Sequence, residues 1–210
     1  MTEDTATLQT HIDEEIEALH PVEEATYTGL SNKKLAMWAF LGSECLLFGA
    51  LISTYLLYKG RSITGPKPHE IYDIPYTSVS SFVLLASSLT MVLALSAIQG
   101  GDQRQTRIWL LTTAALGMTF ISGQVYEFTT FVHEGLKLST NLFGTSFYVL
   151  TGFHGVHVTV GIIMLLTLFG ASLLGRLNSE HAETVELVGL YWHFVDVVWI
   201  VIFTVVYLIP

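Results

Sequence analysis

Seven ionisable side chains fall within or at the end of long apolar stretches: Glu44, Glu127, His154, His157, Glu186, His193 and Asp196. An ionisable group at the centre of a membrane span costs ~2.5–3.5 kcal/mol on insertion scales, so each is a candidate for function. Glu44 lies in the run from Trp38 to Phe48, WAFLGSECLLF. A carboxyl there is either a proton-handling or headgroup-binding acid, or a protonated group hydrogen-bonded between helices. His154 and His157 are about 300° apart on a helix at ~100° per residue, so they share a face. Such a pair could ligate haem or metal. However, a bis-His haem draws its ligands from two helices, and a metal wants a third ligand nearby. The alternative is imidazoles that bond to neighbouring helices and lipid phosphates. His193 and Asp196 repeat the spacing and read as an imidazole–carboxylate pair. Glu127, beside Tyr126, either snorkels towards water or bridges helices.

The elements that must position these groups are spans. The chain of 210 residues is 51% hydrophobic and 13% charged, about half the charged share of a soluble domain. Its mean hydropathy is +0.54. Apolar stretches at or above the ~20 residues needed to cross a bilayer run over about 35–58, 78–99, 107–130, 143–174 and 183–208. Ser31 is a candidate N-cap for the first, and Pro66, Pro68 and Pro75 mark a loop before the second. The fourth stretch exceeds the bilayer core and must tilt or project. Gly42, Gly49, Ser87, Ser88, Gly152, Gly155 and Gly161 offer close helix approach. The expectation is an all-α polytopic membrane protein, a bundle of five transmembrane helices over residues 33–210.

The net charge is −9, and eight of the 18 acidic residues precede residue 33, with no Lys or Arg among them. This acidic lead, 1–32, reads as a cytoplasmic tail, with a short surface helix between Thr10 and Leu19 as an option. It excludes a nucleic-acid surface and carries no basic, apolar signal peptide. With the N-terminus inside, Lys33, Lys34, Arg104, Arg107 and Arg176 lie inside, against Lys59, Arg61, Lys67 and Lys137 outside. That bias favours N-terminus in and C-terminus out. One cysteine, Cys45, supports neither an intrachain disulfide nor an iron–sulfur or dinuclear copper site. Phosphate loops and nucleophile motifs are absent.

Four segments together resemble subunit III of the haem–copper oxidases, closest to the cytochrome c oxidase form. They are WAFLGSE (38–44) with Phe48, GQVYEF (123–128), TGFHGVHVTVG (151–161) and YWHFVDVVW (191–199). Each falls on a different span, and the resemblance covers about 31–210. It implies a non-catalytic subunit with no cofactor in this chain, haem and copper residing in partner subunits, and bound phospholipid. It further implies packing on subunit I, proximity to subunit II, and support of proton uptake and of the durability of the catalytic core. A small subunit IV and a larger respiratory supercomplex are further partners in this reading, and the bacterial inner membrane is the location. Glu44 matches the family's intramembrane glutamate. His154 and His157 match its paired histidines, which are not metal ligands, and Arg176 aligns with a basic residue that contacts lipid phosphate. Trp38, Glu127, His193 and Asp196 complete the set of lipid-binding or helix-bridging candidates. Many family members have seven spans, and this chain begins at what would be their third. Competing readings are a quinol-oxidase or nitric-oxide-reductase-associated homologue, a membrane haem or metal protein using His154, His157 and His193, and a transporter relaying protons through Glu44, Glu127 and Asp196.

Overall fold

The computed structural model describes residues 29, 31–59, 61 and 72–209. The surface helix expected between Thr10 and Leu19, the acidic residues of the tail, and the loop prolines Pro66 and Pro68 lie outside the described residues. Every regular element among the described residues is helical: α1 (Asn32–Tyr58), α2 (Ile74–Gln99), α3 (Gln103–His133), α4 (Leu142–Leu173) and α5 (Ala182–Phe203). A 3₁₀ turn, Ser179–His181, leads into α5, which continues as a π-helical turn, Thr204–Leu208. Among the described residues, five helices are long and apolar enough to cross a membrane.

The chain divides into two units, residues 1–39 and 40–210. The described part of the first opens α1. Ser31 caps it as the sequence predicts, its Oγ accepting the Lys34 N–H at 3.2 Å. Trp38 in this unit is 54% exposed.

The second unit holds the bundle. Three helix starts show why boundaries depart from the apolar pattern. α2 begins at Ile74, four residues before the expected start, because Asp73 Oδ1 accepts the Tyr76 N–H at 3.1 Å. Pro75 sits in that first turn, where a missing N–H costs nothing. It is therefore a helix starter, where the sequence reading placed a loop. α3 begins at Gln103 because Asp102 accepts the Gln105 N–H at 3.0 Å. It runs through His133, three residues beyond the expected end of its apolar stretch. Asn141 caps α4 through the Gly144 N–H at 2.6 Å.

α2 packs on α3 and α5, and α4 also packs on α3 and α5, which closes a four-helix ring. Trp192 of α5 fills its centre. A Cβ at Gly117 of α3 would lie 2.6 Å from Trp192 Cη2, and one at Gly161 of α4 would lie 2.7 Å from Trp192 Cε3. The ring therefore fits only between two glycines. The buried indole N–H groups are satisfied from α2, Trp192 donating to Ser87 Oγ at 2.9 Å and Trp199 to Ser81 Oγ at 2.8 Å. Arg107 ties the start of α3 to the end of α4 through the Ser172 carbonyl at 2.8 Å.

From Phe40 onward, α1 presents Leu41, Phe48 and Tyr55 to the bundle at two-turn spacing. Phe48 meets the His157 ring edge-on at 5.0 Å, and Tyr55 tilts on Phe143 at 5.9 Å. Lys59, just past α1, donates to the Ile209 carbonyl at 2.5 Å and the Val205 carbonyl at 3.3 Å. Its ammonium thus caps orphan carbonyls at the end of the last helix. The other face of α1 is exposed, with Leu46, Leu47, Leu56 and Leu57 on the surface.

Candidate functional site

The first polar centre joins α1 to α4. Glu44 Oε2 lies 3.2 Å from His157 Nε2, and both side chains are 15% exposed. The other ring nitrogen decides the chemistry. His157 Nδ1 is 2.7 Å from the Phe153 carbonyl, which can only accept, so Nδ1 carries a hydrogen. Nε2 then either accepts from a protonated Glu44 or donates as imidazolium to a carboxylate. In both forms a single proton lies between the two groups. Tyr191 of α5 donates to the His157 carbonyl at 3.1 Å, closing the site from the third side.

His154, one turn earlier and on the same helix, is fully buried. Its Nε2 donates to the Val195 carbonyl of α5 at 3.3 Å, and its ring lies 4.9 Å from Trp199 and 5.9 Å from Phe120. Its Nδ1 is buried without a hydrogen-bond partner. A donated Nε2–H leaves this nitrogen as an acceptor in the neutral ring.

The second polar centre lies between α2 and α5. The expected direct pair of His193 and Asp196 does not form, because Ser88 of α2 stands between them. Ser88 Oγ is 3.1 Å from His193 Nδ1 and hydrogen-bonds Asp196 Oδ2. Asp196 is 2% exposed, and its Oδ1 is a buried oxygen without a partner.

The third centre gathers α2, α3 and α5 near the Asp73 end of α2. Glu127 is 7% exposed, so it does not snorkel towards water. Its Oε1 is 2.7 Å from Thr77 Oγ1, and the Tyr207 hydroxyl also bonds to it. Tyr72, which precedes α2, has its ring tilted against that of Tyr207 at 4.6 Å, and burial pushes its phenol well above the ordinary range.

Arg176 is exposed beyond the end of α4. The chain turns there at Gly175 with φ of +69°, and the Arg176 N–H bonds the Ala171 carbonyl at 3.0 Å. Its guanidinium is free of protein partners among the described residues. Between α3 and α4 an open, largely apolar groove of about 320 Å³ is lined by residues that include Gln124, Phe128, Gly152, Gly155 and Val156.

Among the described residues, no three His, Cys, Asp or Glu side chains converge on a site that could hold a metal. His154, His157 and His193 go to three different partners. Sequence reasoning missed Ser88, Thr77 and Tyr207. Ser88 was noted as a small residue for helix packing, and the available signal was a hydroxyl facing two ionisable groups at one depth.

A family model for cytochrome c oxidase subunit III matches residues 22–209. Cytochrome c oxidase subunit 3 of Bacillus sp. (strain PS3) is 42% identical over 188 residues, 90% of each chain. The probable quinol oxidase subunit 3 of Staphylococcus saprophyticus is 38% identical over 189 residues, 90% of this chain and 94% of that one. Cytochrome bo(3) ubiquinol oxidase subunit 3 of Pseudomonas aeruginosa is 34% identical over 204 residues, 97% of each.

Proposed function

The chain belongs to the cytochrome c oxidase subunit III family, and from that premise we propose that it is the non-catalytic subunit of a proton-pumping oxidase that oxidises cytochrome c and reduces oxygen. In this reading it carries no redox centre of its own, haem and copper belonging to the partner subunits. It packs mainly on subunit I, lies near subunit II, and crosses the bacterial cytoplasmic membrane with its N-terminus inside and its C-terminus outside.

The observation that carries the reading is the Glu44–His157 bridge. A carboxyl and an imidazole share one proton within two apolar helices, at a depth where ionisable groups are costly. They retain enough exposure for a neighbouring subunit to exchange that proton. The bridge thus serves both as helix clamp and as proton reservoir for the catalytic subunit. Lipid binding completes the reading, with an acyl chain along the groove between α3 and α4 and a phosphate at the free Arg176 guanidinium.

The experiment is purification by a tag on this chain in mild detergent. The expected result is copurification of haem- and copper-bearing subunits and oxidation of reduced cytochrome c by the complex. Recovery of the chain without such partners would overturn the assignment to a complex. A second reading, a quinol oxidase, is favoured by the relatives named for quinol. Turnover on quinol but not on cytochrome c would select it.

A further inference from the structure

Ser88 is the only side chain among the described residues that bonds both His193 and Asp196, and it has one proton to give. We propose that Ser88 joins His193 and Asp196 into a proton relay that carries a proton between the half-exposed imidazole and the buried carboxyl, separately from the Glu44–His157 bridge.

The step balances on these atoms. In one form Asp196 Oδ2–H donates to Ser88 Oγ, and the Ser88 O–H donates to His193 Nδ1, which has no hydrogen. In the other, the Ser88 O–H donates to the Asp196 carboxylate, and Ser88 Oγ accepts from Nδ1–H of an imidazolium. Between the two, the Asp196 O–H bond breaks as its proton passes to Ser88 Oγ, and the original serine proton forms the Nδ1–H bond. One proton moves and the serine is restored. A hydroxyl suits this task because it donates and accepts at one atom.

The geometry gives the relay a direction. Asp196 faces the interior of the helix ring, and its Oδ1 is a buried acceptor left unpaired. His193 is only half-buried, and its Nε2 makes no hydrogen bond among the described residues. The surroundings contribute few competing charges. α4 brings His154, bonded to the carbonyl of the residue before Asp196. α5 itself brings Tyr191, which bonds His157 beside Glu44. α3 faces the region with Phe120 against Trp199, which do not titrate.

The test uses the full chain in its purified complex, reconstituted in lipid, with ¹⁵N-labelled histidine and ¹³C-labelled aspartate. His193 and Asp196 signals are assigned by their loss in His193→Gln and Asp196→Asn. The relay requires strong coupling, so Asp196→Asn lowers the His193 midpoint by at least about one pH unit, a tenfold change in proton affinity. In the Ser88→Ala background the same substitution shifts it by less than about a third of that, and Ser88→Thr restores the full shift. An equal shift with and without the hydroxyl would overturn the proposal in favour of simple charge interaction, and no shift in either would overturn it outright. If Ser88→Ala does not assemble, the unsubstituted protein decides. His193 Nδ1 and the Asp196 carboxyl must then report common midpoints, and independent titration refutes the relay. No readout depends on turnover or on the electron donor, so failure here is distinguishable from failure of the oxidase assignment.

Discussion

Gly161→Ala should break the centre of the bundle. The new methyl would lie 2.7 Å from Trp192 Cε3 and 2.8 Å from Cζ3, against an optimum of about 3.5–4.0 Å between carbons. Trp192 would have to retreat by roughly 0.8 Å or more to restore that separation. It has nowhere to go, since its far edge already abuts α3 at Gly117 and its N–H is held by Ser87 at 2.9 Å. Overpacking of this kind costs about 1–3 kcal/mol. Pulling the buried N–H off Ser87 adds about 1–3 kcal/mol for an unsatisfied donor. The expected loss is therefore about 2–6 kcal/mol, read as a lowered thermal midpoint of the purified complex and less retained subunit. Gly170→Ala is the control, since its Cβ meets nothing within 4 Å. Combining Gly161→Ala with Trp192→Phe should cost little beyond Trp192→Phe alone, because both act through the same contact. A Gly161→Ala complex that melts with Gly170→Ala would refute the reasoning.

Glu44→Gln keeps a donor to His157 Nε2 and should assemble normally but turn over more slowly as pH rises, whereas Glu44→Ala should also weaken retention of the subunit, at roughly 1–3 kcal/mol for the unpaired partner. A Glu44→Ala complex that copurifies fully and keeps wild-type turnover from about pH 6 to 9 would leave the bridge without a role. Thr77→Val should destabilise by about 0.5–1.5 kcal/mol through the loss of one hydrogen bond to the buried Glu127 carboxyl, which keeps Tyr207, and an unchanged melting midpoint counts against that network. Thiol labelling of single cysteines near each terminus should place the two ends on opposite sides of the membrane, and labelling from one side would exclude an odd number of crossings. The isolated chain should show no stoichiometric Soret band and no metal that survives chelator washing, while either signal would promote a haem or metal role for its histidines.

The spans were legible because a bilayer demands long apolar runs, and no soluble core explains five of them. Their ends were less so, since Asp73 and Asp102 act through backbone capping that an apolar count does not register. The shared faces of His154 with His157 and of His193 with Asp196 followed from helical spacing. What each nitrogen bonds did not, because His154 goes to a backbone carbonyl and His193 to a serine from another helix. The seat of Trp192 was equally hidden. Gly161 read as a small residue for helix approach, but only the packed bundle sets it beside Gly117 with an indole between them.

The bond between Glu44 and His157 spans 113 residues of sequence, and this separation has a consequence for biosynthesis. At about 5–20 residues per second, the ribosome makes His157 on the order of ten seconds after Glu44. Lys59 waits longer, since its carbonyl at Ile209 lies 150 residues on. α1 therefore enters the bilayer with an acid that lacks its base, followed by an amine that lacks the carbonyls it will cap. In that interval its lodging depends on hydrophobicity alone, or on another protein that shelters it. Nascent chains arrested before residue 157 should thus be the stage at which α1 is most readily lost to membrane quality-control proteases.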